Sequence, residues 1–252
     1  MIIVVDDGSN DGTEKILSDY SRRFPKSVKV VTLADNGYDI RRVPSNINLA
    51  WKKSTRLGLK TRYLMMSGDD CSYPLNYAEL VSTRMNSDAR IAVASGRSST
   101  DLDPLQEHSP TGSGRLVRCS FWRKMGAHYP IKAGWETWLL YKAKENGLRV
   151  ELYPEATFRH VRPRGAKHQF AYWGAAMYEL GYYPLYALGR VVKNALSRKV
   201  SIRGSINMMR GYLMAKMGST DFFISPFDPA LQEFVQRDQI ERIRRIAGSF
   251  VS

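Results

Sequence analysis

A chain of 252 residues with 43% hydrophobic and 25% charged residues can bury a full core, as one domain or as one domain with an extension. Two cysteines, Cys71 and Cys119, exclude a disulfide framework and a zinc-ligand cluster and fit a reducing compartment, and no apolar run approaches the ~20 residues that span a bilayer. The formal net charge of +14 is uneven, because Ala156 to Met217 holds eleven Lys or Arg against one acid, Glu179, and such a stretch attracts phosphorylated ligands, anionic lipid or nucleic acid.

Ile2 to Val5 is an apolar, β-branched run without alternation, which predicts a strand covered on both faces. No basic segment leads into it, so no secretory signal is read here. Asp6 and Asp7 end the strand, and the turn continues through Gly8, Ser9, Asn10, Asp11 and Gly12 into a helix expected over Glu14 to Phe24. A strand at Val28 to Leu33, a helix at Asn46 to Leu59 and a short buried strand at Tyr63 to Met66 follow. Asn76 to Met85 reads as a helix and Ile91 to Ser95 as a strand. Asp101 to Gly114 is polar and rich in turn residues, which predicts a mobile loop. A short helix at Phe121 to Met125, a longer one at Thr137 to Asn146 and a strand at Arg149 to Tyr153 complete this part, and the strand pattern stops beyond Arg159. The alternation predicts an α/β layer with a largely parallel sheet. Phe170 to Leu180, Pro184 to Leu196, Ser201 to Met217 and Gln232 to Ala247 then read as helices rich in Tyr, Met, Leu and cations.

Four constellations carry chemistry. Asp6 and Asp7 lie at a strand's carboxyl end, where open α/β sheets bind ligands, and carboxylates there accept hydrogen bonds from ribose hydroxyls or a base N–H. Gly68, Asp69 and Asp70 repeat that placement, and two adjacent carboxylates suit a hard divalent cation bridging to a diphosphate. They equally suit an acidic turn before Pro74. Glu136 stands between Trp135 and Trp138 at the start of a helix. It is either a helix-dipole residue or a base beside an aromatic sugar-stacking wall. Arg159, His160, Arg162 and Arg164 make a diphosphate or metal-phosphate grip, with His160 a metal ligand or a structural histidine.

In order, the Asp6–Thr13 turn, the Ser67–Asp70 turn, the Trp135-Glu136 pair and His160 resemble the motifs of family 2 glycosyltransferases of the GT-A fold. The resemblance covers roughly residues 1–165. It implies a Rossmann-like, mainly parallel central sheet flanked by helices, followed by a basic helical extension over 166–252. It implies that Asp6, with Asp7, Gly8, Ser9 and Asp11, holds the donor nucleoside. Gly68, Asp69 and Asp70 would contact the ribose and a Mg²⁺ or Mn²⁺ ion on the diphosphate, with His160 as a further ligand and Arg162 and Arg164 on the phosphates. Glu136 would deprotonate the acceptor hydroxyl for an inverting displacement, beside a wall of Trp135 and Trp138. Two departures stand out: Ser67 occupies the first position of the usual Asp-x-Asp, and Trp135 replaces the acid that usually precedes the base. The family's first strand and helix have no counterpart ahead of Met1, so the chain is expected to be N-terminally truncated, with part of the donor pocket missing.

The tail has two readings: Trp173, Tyr182, Tyr183, Tyr186, Met208, Met209 and Met214 pack as core, or with the cations they form an interfacial surface toward anionic lipid. The expected partners are a nucleotide-sugar donor, a glycan or lipid-linked acceptor of cell-surface polysaccharide synthesis and an anionic membrane, at its inner, cytoplasmic face. No nucleic-acid partner is expected. Two other functions remain open: a sugar-nucleotide nucleotidyltransferase, although no Gly-rich, basic phosphate loop is present, and a non-enzymatic basic module on membrane or nucleic acid.

Overall fold

The computed structural model describes residues 1–37, 39–99, 109–110, 112–161, 170–197, 200–219 and 225–248. In chain order its elements are β1 (Ile2–Asp6), α1 (Thr13–Arg23), β2 (Val28–Thr32), α2 (Arg42–Arg56), β3 (Tyr63–Met66), β4 (Cys71–Ser72), α3 (Tyr77–Ser87) and β5 (Ile91–Ser98). They continue with β6 (Arg115–Arg118), α4 (Cys119–Lys124), α5 (Trp135–Glu145), β7 (Arg149–His160), α6 (Phe170–Glu179), α7 (Pro184–Leu196), α8 (Ile202–Lys216) and α9 (Pro229–Gly248).

The chain forms two compact units. The first comprises Met1–Arg62 and Trp122–Ile131. Within it β1 and β2 pair in parallel, Ile2 opposite Val28 and Asp6 opposite Thr32. The crossover between them is α1, as a parallel pair requires. Helix α2 begins at Arg42, four residues before the expected start at Asn46. Pro44 falls in its first turn, where a missing N–H costs no helical bond. Asn48 of α2 holds the later segment of this unit, donating through Nδ2 to Tyr129 O (2.9 Å) and accepting from Tyr129 N (2.7 Å). Trp122 stands edge-on to both Trp51 and Tyr129.

The second unit comprises Tyr63–Phe121 and Lys132–Ser252. Its five-stranded sheet has the order β3-β6-β5-β7-β4. Only the β5–β7 pairing is parallel; β3–β6, β6–β5 and β7–β4 are antiparallel. The sheet is therefore mixed, where the alternation of elements suggested a mainly parallel one. Strand β6 makes the difference, and its charged ends hide it in the sequence. Arg115 is 1% exposed and donates to the carbonyls of Glu136 and Pro110. Arg118 donates to those of Met85, Asp88 and Ile91. Both cations are fed by backbone oxygens, which lets a strand with arginines at each end sit inside.

Strand β7 also runs past its expected end at Tyr153. Its register against β5 shifts after Gly96, from Gly96–Tyr153 to Arg97–Thr157. The residues skipped include Pro154, which lacks the N–H a ladder needs and is accommodated in the irregularity. The strand then resumes and carries His160 to its last position. Val81 and Met85 of α3, Ile91 and Ala94 of β5, Leu116 of β6 and Phe158 of β7 form the core beneath.

The boundary expected near residue 165 falls inside this second unit, because the C-terminal helices pack on its earlier elements. Gln239 of α9 is fully buried, accepting from Tyr183 N at 2.9 Å and reaching Tyr141 Oη of α5 at 3.4 Å. Helices α6 and α8 cross closely, since a Cβ on Gly174 would collide with Met208 O and one on Gly211 with Ala171 O. Tyr182 and Met208 are core residues, as one reading of the tail expected. Another face of α7 and α8 is open. Leu196 is 79% exposed and Met217 68%, and a groove of about 760 Å³ lined by Val191, Ile202, Ile206, Met209 and Leu213 runs there. Arg190, Lys193, Arg203, Arg210 and Lys216 are exposed on the same two helices, which carry no acid. Among the described residues no helix is long and apolar enough to cross a membrane.

Candidate active site

In the first unit the turn after β1 is built locally. Asp6 is 4% exposed; its Oδ1 accepts from Ser9 N at 3.0 Å, and its Oδ2, though buried, has no hydrogen-bond partner among the described residues. Asp7 Oδ2 lies 3.3 Å from Arg42 Nε, and its buried Oδ1 is likewise unpartnered. Gly8 has φ +83° and lies on the backbone of Ala34 and Asp35, where a Cβ would collide. Glycine is required there on both counts. Asp11 Oδ1 accepts from Thr13 N (3.2 Å) and Thr13 Oγ1 (2.6 Å), so Asp11 ties the start of α1. Buried carboxylate oxygens without donors are an arrangement that a ligand's hydroxyl or N–H completes.

In the second unit the turn after β3 is built by long-range pairing. Strand β4 places Cys71 opposite His160 of β7, which puts both side chains on one face of the sheet. Cys71 Sγ lies 3.3 Å from His160 Nδ1 and 3.3 Å from Asp70 Oδ1, and His160 Nδ1 lies 3.6 Å from Asp70 Oδ2. Asp70, Cys71 and His160 thus offer three candidate metal-binding atoms together. His160 is 2% exposed, its ring edge-on to Phe158. Asp69 is exposed. Burial pushes the Cys71 thiol pKa up, so it is protonated at neutral pH.

Tyr73 and Tyr77 support this turn. Tyr73 Oη is 2.9 Å from Ser67 Oγ, and burial raises its pKa well above the usual tyrosine range. Tyr77 Oη donates to Gly114 O and accepts from Gly96 N, each at 2.8 Å, and burial pushes its pKa up to about 12.

Glu136 opens α5, whose N-cap Gly134 is left-handed with φ +78°. Its carboxylate is half-buried, and a Cβ on Gly112 would overlap it. Arg115 Nη1 donates to the Glu136 carbonyl at 3.0 Å and fixes the helix start. One residue on from Gly112, Ser113 reaches the other turn: it hydrogen-bonds the Cys71 thiol and lies near Gly68. The Gly112–Ser113 step therefore links the Glu136 carboxylate to the Asp70 turn within one unit.

Asp70 and His160 are brought together as the sequence suggested. Trp135 and Trp138 are 8% and 9% exposed, so they pack in the core and offer little open face as a sugar wall. Arg162, Arg164 and most of the loop expected over Asp101 to Gly114 lie outside the described residues. Sequence reasoning missed Cys71, Ser113 and Arg115. The cysteine count reads as excluding a zinc-ligand cluster, whereas Cys71 joins Asp70 and His160 in a mixed group that could hold a metal ion. The glycines flanking Ser113 were the available signal for a close approach.

The solved mannosyltransferase PcManGT from Pyrobaculum calidifontis, in complex with GDP-Man and Mn²⁺, is similar in fold with a TM-score of 0.53 at 13% identity, over 92% of this chain and 74% of that one. TarS of S. aureus (residues 1–349) aligns with a TM-score of 0.47 at 12% identity, over 86% of this chain and 82% of that one. No curated protein sequence matches. The description Glycosyl transferase family 2 matches residues 1–135, which takes in both acidic turns and ends one residue before Glu136. With more than half its length matched and an α/β architecture of the GT-A type, the chain belongs to glycosyl transferase family 2.

Proposed function

We propose that this chain is an inverting glycosyltransferase that moves a sugar from a nucleotide-sugar donor to a hydroxyl of a glycan or lipid-linked acceptor in cell-surface polysaccharide or glycoconjugate synthesis. The observation that carries the reading is the cluster in the second unit, where Gly112 and Ser113 connect a half-buried carboxylate, Glu136, to the Asp70–His160 pair. Asp6, with its unpartnered buried oxygen, accepts from the donor's nucleoside, while Asp7, Gly8, Ser9 and Asp11 shape the turn around it. Glu136 takes the proton of the acceptor hydroxyl. That oxygen attacks the anomeric carbon as the bond to the diphosphate oxygen breaks, and the configuration inverts.

Asp70 and His160, with Asp69 next to Asp70 in sequence, fit a divalent cation: a carboxylate oxygen and an imidazole nitrogen face each other at 3.6 Å. Such an ion, when bound, neutralises charge on the leaving diphosphate. Arg162 and Arg164 are proposed to grip the same phosphates.

The work is proposed to take place at the cytoplasmic face of an anionic membrane. The open side of α7 and α8 supports this, since it combines apolar side chains such as Leu188, Leu196 and Met217 with five cations and no acid. The first test is release of nucleoside diphosphate from a panel of nucleotide sugars by the full chain with Mg²⁺ or Mn²⁺. Release by wild type and its loss in Glu136→Gln is the expected result, and equal release by both ends the base assignment. Sedimentation with anionic but not zwitterionic vesicles tests the membrane surface; no difference between them removes it.

A further inference from the structure

We propose that Cys71 is a third protein ligand at the Asp70–His160 site, and that the site takes a borderline-soft divalent ion, Zn²⁺ or Co²⁺, in preference to Mg²⁺. The inference rests on the reading above only in placing a cation at Asp70. Its own support is geometric. A tetrahedral centre with bonds of ~2.0–2.3 Å to nitrogen, oxygen and sulfur sets neighbouring ligand atoms roughly 3.3–3.6 Å apart. The three separations here are 3.3 Å from Sγ to Nδ1, 3.3 Å from Sγ to Asp70 Oδ1, and 3.6 Å from Nδ1 to Asp70 Oδ2. The two Asp70 contacts use different carboxylate oxygens, and one ligand atom from each of the three residues lies within 4.8 Å of the others, so a turn of the Asp70 carboxylate that presents one oxygen to both Sγ and Nδ1 makes a tetrahedral set.

The backbone explains why the sulfur is held there. Cys71 and His160 are opposed residues in the β4–β7 ladder, and Asp70 is the residue before Cys71, with its carbonyl accepting from Val161 N at 2.8 Å. All three positions are fixed by the same short stretch of sheet. The donor set is one thiolate, one imidazole and one carboxylate. Mg²⁺ prefers an octahedral shell of oxygens, whereas sulfur and imidazole suit zinc and its neighbours. Three protein ligands leave a fourth position open, the pattern of a zinc site that engages a ligand rather than a closed structural one. On binding, the metal takes the place of the thiol proton, which leaves to solvent. A diphosphate oxygen suits the open position.

The test uses metal-free full-length protein and Co²⁺ alone, with no nucleotide sugar. A thiolate-to-cobalt charge-transfer band in wild type, lost in Cys71→Ser while the visible bands of bound cobalt persist, supports the inference. So does displacement of cobalt by Zn²⁺ at concentrations at least ~10-fold below those of Mg²⁺, with the margin narrowed in Cys71→Ser. Absence of the band in wild type, or an unchanged band in Cys71→Ser, overturns it. Should Cys71→Ser fold poorly, the wild-type protein supplies a second readout. Zn²⁺ is expected to protect Cys71 from alkylation, located by peptide mapping, and equal labelling with and without Zn²⁺ overturns the assignment. Glycosyl transfer with Mg²⁺ but no charge-transfer band would defeat this inference alone. A band without any transferase activity would leave it standing and defeat the functional reading.

Discussion

The two acidic turns of this protein are made by different means. The turn after β1 is held by bonds of short range: Ser9 N to Asp6 three residues back, Thr13 N to Asp11 two residues back. Its dependence on distant sequence is confined to the first unit: β2 beside Asp6, the backbone of Ala34 and Asp35 under Gly8, and Arg42 beside Asp7. The turn after β3 faces His160, 89 positions away from Cys71, and is assembled through β4, β7 and the aromatic core of Tyr73, Tyr77 and Phe158. A locally bonded turn tolerates damage to the core of another unit. A turn assembled by sheet pairing moves with its sheet.

That contrast can be broken at several points. The largest effect is expected at Glu136, where Glu136→Gln removes the base and lowers nucleoside-diphosphate-coupled transfer by about 10²–10⁴-fold, while donor binding measured by calorimetry is unchanged. Next is Phe158→Ala, which empties a buried position against Tyr73, Tyr77 and His160. It should cost about 3–5 kcal/mol in denaturant unfolding of the second unit and weaken metal binding there. Nucleoside binding that falls equally would mean the two turns are not independent.

Gly8→Ala is the converse. A left-handed φ is disfavoured for alanine by about 1–2 kcal/mol, and collision with Asp35 adds to it. Donor affinity should drop with cobalt binding intact; intact donor affinity would show that Asp6 is not at the nucleoside.

Tyr77→Phe is smaller, about 1–3 kcal/mol, because Gly96 N–H and Gly114 C=O lose their buried partner. It also carries a pH signature. The folded-state pKa of Tyr77 is about 12 against an ordinary 10, so the folded form holds its proton more tightly. Stability from this group is complete below pH 10 and declines as pH rises from 10 through 12. The phenylalanine variant should show a shallower decline across that range, and an identical pH profile would contradict the burial argument. Smallest in the fold is Leu188→Asp on the open face of α7. It should shift unfolding by no more than about 0.5 kcal/mol yet reduce anionic-vesicle binding.

The difference between the turns also explains what could be read in advance. β1, α1, β2 and β3 follow from apolar runs punctuated by Asp, Gly and Pro, and the structure places them within a residue or two of expectation. Strand β6 was hidden because arginines mark its ends, and only the carbonyls of Glu136, Pro110, Met85, Asp88 and Ile91 make their burial tolerable. The last part of β7 was hidden by Pro154, which stops most strands and here sits in a register shift. His160 was singled out by its type and its arginine neighbours. Its partner Cys71 was not, since nothing within a few residues of either one announces the other.

By itself the sequence determined the local chemistry: strand ends capped by carboxylates, a glycine where the chain must turn left-handed, and helices whose cations lack acids to pair with. These depend on residue type and near neighbours, so composition and spacing reveal them. Tertiary structure alone decided which groups share a site. It joined Cys71 to Asp70 and His160, set Gly112 and Ser113 between Glu136 and that cluster, and withdrew Trp135 and Trp138 into the core. Those outcomes turn on strand pairing across tens of residues and on desolvation, energies that no short window of sequence contains.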